Sequence, residues 1–87
     1  MTNYQVIKAF IERRSASVNN VKSTGDKLFS YNTCIAQRHN NIMLINDTKY
    51  SMTTSRHLNM FKFYYKQDTF SVNYVPKGST DLLQYFK

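Results

Sequence analysis

Three side chains of this 87-residue protein have the chemistry of nucleophiles or metal ligands: Cys34, His39 and His57. A metal site needs several such donors gathered in one place, and these three show no paired spacing. A lone cysteine excludes an internal disulfide and any multi-cysteine metal site. Nucleophilic catalysis would set Cys34 or a serine beside an oriented base, and nothing local does so. Cys34 reads as a small apolar strand residue, and His57 as a hydrogen-bonded structural histidine. The carboxylates Glu12, Asp26, Asp47, Asp68 and Asp81 fall at turns, caps or a helix surface, so no acid–base pair is set up. With only Gly25 and Gly78, a glycine-rich phosphate loop has no material. The expectation is a protein that is not an enzyme and needs no metal or cofactor.

Binding chemistry is better represented. Twelve Lys and Arg against five acids give a formal charge of +7 and a pI near 9.7. Such a surface favours an acidic partner, either nucleic acid or an acidic protein, although a solvated basic surface has the same composition. The predicted contact residues are Arg13, Arg14, Arg38, Arg56, Lys62, Phe63 and Lys66. Their cations would neutralise phosphates. Phe63, Tyr64 and Tyr65 lie among Lys62 and Lys66, where exposed rings would stack on unpaired bases. The helix–strand–strand–strand–helix order is similar to the double-stranded-RNA-binding fold in topology only. The basic cluster expected at the start of its second helix is reduced here to Arg56.

The stretch from Lys49 to Lys66 must position most of these groups. It opens extended, crosses a hydroxyl cluster and becomes a helix over residues 54–67. At about 100° per residue, Thr54, Leu58, Phe61 and Tyr65 share one face, with His57 and Tyr64 at its edge. Ser55, Asn59, Lys62 and Lys66 lie opposite. Arg56, Met60 and Phe63 form a second, basic-aromatic stripe, which either widens the buried face or meets a partner. Thr53, Thr54 or Ser55 would cap the first turn. The residues Tyr50, Ser51, Thr53, Thr54, Ser55 and His57 are expected to form a structural joint.

Two blocks in this region carry a resemblance. Ser30-Tyr31-Asn32-Thr33 is followed by Ile35-Ala36. Tyr50-Ser51 is followed by Thr53-Thr54-Ser55, His57 and Asn59. Together they resemble a family of small phage-encoded proteins with a Ser-Tyr-Asn-Thr-x-Ile-Ala block and a Tyr-Ser-x-Thr-Thr-Ser-x-His-x-Asn block. The likeness runs from about Phe29 to Asn59. It implies a phage origin and a shared fold but no assigned activity. It also implies a second class of partner, since small phage proteins often act by occupying a host or defence protein.

The rest of the chain supplies the scaffold. Thr2 and Gln5 have capping-box spacing, which predicts a helix to about Arg14. Strands are expected at Ser17 to Ser23, Lys27 to Ala36, Ile42 to Ile45 and Phe70 to Tyr74. Val18 and Val21, three apart, call for a bulge or an edge position in the first of these. Thr24-Gly25-Asp26-Lys27 reads as a tight turn, Arg38-His39-Asn40-Asn41 as a polar connection, and Pro76-Lys77-Gly78 as a break. Ser79 would cap a short C-terminal helix. The predicted fold over residues 1–87 is a single α+β domain. A small antiparallel sheet, made of a three-strand meander plus a fourth strand, packs against two helices, with a short C-terminal helix. Its core is expected to include Phe10, Phe29, Tyr31, Ile42, Leu44, Leu58, Phe61 and Val72. No apolar run approaches the roughly 18 residues of a membrane span. The N-terminus lacks a signal pattern, which predicts a cytoplasmic protein, in the host cell if phage-encoded. The leading expectation is non-catalytic binding of nucleic acid. The alternative is an inhibitor or modulator bound to an acidic surface of a host or defence protein.

Overall fold

The computed structural model describes residues 1–86 and begins with the capping box that the sequence announces. The Thr2 hydroxyl accepts from the Gln5 backbone amide at 3.2 Å, and the Gln5 side chain accepts from the Thr2 amide at 2.7 Å. Helix α1 runs Asn3–Ile11 and buries Val6, Ile7, Ala9 and Phe10. It stops short of Arg14 because Arg13 adopts a φ of 63° and turns the chain into the sheet.

The sheet differs from the expected one in size and in sense. It has six strands, β1 (Ser15–Val18), β2 (Val21–Thr24), β3 (Lys27–Ser30), β4 (Thr33–His39), β5 (Ile42–Asn46) and β6 (Phe70–Val72), arranged in chain order. The first five form an antiparallel meander. The last lies parallel to β5, reached through helix α2 (Met52–Tyr64). The architecture is α+β, but the small antiparallel sheet of three strands plus one is overturned.

Two predicted strands are in fact hairpins. Residues 17–23 fold back at Asn19, held at φ 49°, and Val18 pairs with Val21 across β1 and β2. Asparagine tolerates the left-handed region that a two-residue hairpin turn needs. This pairing places the two valines on one face, which no single regular strand could do. Residues 27–36 reverse at Tyr31, φ 57°. Tyrosine is uncommon there, so alternation alone could not reveal the turn. Tyr31 is consequently 48% exposed rather than in the core, and Phe29 and Ile42 are half-buried. Phe10, Leu44, Leu58, Phe61 and Val72 are buried as expected. A register shift at Leu28/Phe29 pairs Leu28 with Ala36 but Phe29 with Cys34. The bulge brings consecutive Ile35 and Ala36 into the same cluster. Arg38 and His39 continue β4 rather than forming a loop.

Both faces of the sheet are covered. On one, α1 and α2 contribute Val6, Ile7, Phe10, Leu58 and Phe61 to a cluster with Val21, Leu28, Ile35, Met43 and Ile45. On the other, Val75 and Leu82 of the C-terminal segment pack on Cys34, Leu44 and Val72. The expected C-terminal helix is one 3₁₀ turn, Leu83–Tyr85, with no side-chain cap. Its segment is bonded to β4 instead: the Cys34 amide donates to the Ser79 carbonyl at 2.8 Å, and the Leu82 amide to Gln37 Oε1 at 2.7 Å. Those bonds draw the chain along the sheet and leave too few residues for helical turns.

Candidate functional site

The first turns of α2 bind their polar groups inward. Ser51, rather than Thr53, Thr54 or Ser55, is the cap, accepting from the Thr54 amide at 3.2 Å. The helix therefore starts two residues earlier than predicted. Ser51 and Ser30 both donate to Thr54 Oγ1 at 3.2 Å. Ser30 also contacts His57 Nδ1 at 2.7 Å, and Asn3 Nδ2 lies 3.4 Å from His57 Nε2. These directions are all satisfied by one tautomer, in which His57 Nδ1–H donates to Ser30 and Nε2 accepts from Asn3. Burial holds His57 below the ordinary histidine pKa and so favours that neutral ring. Tyr50 hydrogen-bonds the Val75 carbonyl and accepts from Asn46 Nδ2 at 2.9 Å, tying the approach of α2 to the end of β5 and to the segment after β6. Thr53 is exposed and Ser55 half-buried.

The last turn of α2 does the reverse. Phe61 is fully buried, 5.5 Å from Phe10 and 5.1 Å from Tyr65 between ring centroids. Phe63, two residues later, is 65% exposed, and Tyr64 is 43% exposed. Tyr64 contacts Phe63 at 5.0 Å and Tyr4 of α1 at 4.7 Å. Lys66 Nζ sits 4.8 Å from the Phe63 centroid, and Lys8 Nζ 6.0 Å from that of Tyr4. Three rings thus form a connected exposed row with an ammonium at each end. The second stripe divides: Met60 packs against the core, while Arg56 and Phe63 face outward, joined by Met52 at 75% exposure.

The predicted cations have unequal standing. Arg38 is given to the fold. Its guanidinium carbon lies 4.6 Å from the Phe10 centroid, and it donates to the Gly25 and Ile11 carbonyls, the latter at 2.7 Å. Lys62 pairs with Asp47 at 2.9 Å. Burial alone would raise the Asp47 pKa, but hydrogen bonds from Ser71 and Lys62 outweigh it and hold the carboxyl below its ordinary range. Arg14 pairs with Glu12 on the surface. Arg13, Arg56 and Lys66 are exposed and take no part in an ion pair among the described residues. Tyr4 and Lys8 escaped the sequence reading because they meet α2 only through a contact between residues sixty apart in the chain.

Cys34 is buried among apolar side chains, which pushes its thiol up to about 12. Among the described residues no three His, Cys, Asp or Glu side chains stand close enough to hold a metal ion. No helix among the described residues is long and apolar enough to cross a membrane.

Fold and site together define a small basic α+β protein whose polar joint is closed inward and whose aromatic row is open. Residues 4–75 match a family of unknown function, DUF8033, and the chain belongs to that family. The matched span runs from α1 through β6, well beyond the two short sequence blocks. No curated protein and no solved structure matches it.

Proposed function

We propose that this protein works by non-catalytic binding, and that its partner is single-stranded nucleic acid. The observation that carries this reading is the row Lys8, Tyr4, Tyr64, Phe63, Lys66. Exposed rings between cations suit bases on the rings and phosphates on the ammonium groups. Magnitudes favour exchange at Phe63. An exposed cation–π contact is worth about 0.5–1 kcal/mol, and base–aromatic stacking about 1–3 kcal/mol. A base can therefore displace Lys66 from the ring and free it for a phosphate. The formal charge of +7 adds long-range attraction. The resemblance to small phage-encoded proteins supports an accessory role in a host cytoplasm.

Titration of labelled single- and double-stranded oligonucleotides at several salt concentrations tests the reading. Phe63→Ala is expected to weaken single-stranded binding more than double-stranded binding. Lys8→Ala and Lys66→Ala are each expected to flatten the log–log salt slope by about 0.7. Arg38→Ala should leave that slope unchanged. Absence of binding at low salt by the folded protein would overturn the proposal.

A second reading rests on the outward face of α2. Met52, Arg56 and Phe63 are exposed along it and are residue types enriched at protein interfaces. They would anchor an inhibitor or modulator on an acidic surface of a host or defence protein.

A further inference from the structure

An open cavity of about 420 Å³ lies between the β3–β4 turn and the start of α2. It is separate from the aromatic row: Thr53 and Phe63 are ten residues apart, about 15 Å along the helix. Ser30 and Ser51 line its floor, and their hydroxyls are held by the bonds to Thr54 and His57 described above. Its rim carries Tyr31, Asn32, Thr53 and Lys77, all exposed and none engaged in fixing the floor. No lining residue is acidic, and Lys77 forms no ion pair among the described residues.

Tyr31 is the residue at this rim whose type folding does not account for; away from the cavity Tyr74, at φ 59° and 93% exposed, is in the same position. Tyr31 occupies a left-handed turn position, φ 57°, that asparagine or glycine would take with less strain. Its ring is nearly half exposed, so packing does not compensate. Local rules broken without a structural gain mark functional positions. A planar ring at the rim of a cavity suits a planar ligand group. An ammonium, an amide and a hydroxyl without a competing carboxylate suit anionic oxygens. The volume falls within the range of small-molecule sites, about 300–1,000 Å³.

We propose that this cavity binds a nucleoside phosphate, with the base on Tyr31 and the phosphate at Lys77 and Asn32. The ligand is either a free nucleotide or the terminal nucleotide of a strand. The site stands whether or not the aromatic row binds nucleic acid.

The test is NMR titration of the ¹⁵N-labelled protein with adenosine monophosphate, adenosine and inorganic phosphate. Oligodeoxynucleotides with and without a terminal phosphate are titrated in parallel. Adenosine monophosphate should shift the amide signals of Asn32 and Thr53 saturably. Adenosine and phosphate should each bind about ten-fold more weakly or worse, because each lacks one of the two contacts. Tyr31→Asn keeps the turn, since asparagine accepts its backbone geometry. That variant and Lys77→Gln should each weaken the nucleotide about ten-fold, a loss within the range of one stacked base. Phe63→Ala should leave the nucleotide-dependent shifts of Asn32 and Thr53 unchanged. Tighter binding of the phosphorylated oligonucleotide than of the monophosphate, lost in Lys77→Gln, assigns the site to strand ends. Equal or weaker binding assigns it to free nucleotides. Nucleotide binding that survives both rim variants, or no saturable shift with mono-, di- or triphosphate, overturns the proposal. Oligonucleotide binding that is lost in Phe63→Ala but retained in the rim variants then leaves the strand-binding reading intact.

Discussion

The two ends of α2 use similar material in opposite ways. At its start, the Ser51 hydroxyl donates to Thr54, Thr54 meets Ser30, and the ring of His57 lies between Ser30 and Asn3, closing a polar network. At its end, Phe63 and Tyr64 face outward beside Lys66. The first arrangement consumes groups that would be costly to bury unpaired. The second leaves apolar rings in water, where folding draws little from them. Side chains engaged by the fold and side chains available to a partner are therefore separated along one helix of thirteen residues.

The sharpest way to break this comparison is to truncate rings two positions apart. Phe61→Ala removes the ring between Phe10 and Tyr65 and is expected to cost about 3–5 kcal/mol in urea unfolding. Phe63→Ala should change stability by no more than about 0.5 kcal/mol. Comparable losses from the two would show that Phe63 belongs to the core.

A smaller effect separates adjacent threonines. Thr54→Val leaves the Ser30 and Ser51 hydroxyls without their acceptor and should cost about 1–3 kcal/mol. Thr53→Val, exposed on the next position, should be near neutral by the same measurement. Ser51→Ala comes next, at about 1 kcal/mol for loss of the cap. If circular dichroism and urea unfolding showed no loss, the cap would be dispensable and the joint would not hold the helix start.

The mildest test is pH. Burial lowers the His57 pKa below its ordinary value of 6.5. The unfolded chain therefore takes up a proton before the folded one does, and stability falls as pH drops. The contribution is fully present above about 6.5 and is lost down to the lowered folded value. Below that value both states are protonated and the loss stops growing. The difference in unfolding free energy between the native protein and His57→Gln should narrow across this window. A difference independent of pH between 7 and 5 would show that His57 is not buried as a neutral ring.

Local signals were legible where the physics is local. The capping box at Thr2 and Gln5, the turn at Gly25, the α2 face containing Leu58 and Phe61, and the apolar run of β5 all follow from propensity and periodicity between near neighbours. The basic charge is composition itself. Tertiary structure alone decided the strand count. Asn19 and Tyr31 are forced to positive φ by the pairing of flanking strands, and neither position carries the glycine that would announce a turn. It also decided which cations are free. Arg38 and Lys62 look like Arg56 in sequence, but Phe10 with two carbonyls claims the first and Asp47 the second. The aromatic row depends on Tyr4 meeting Tyr64 across two helices. Contacts between residues so far apart are set by how the elements pack, a property that no window of sequence contains.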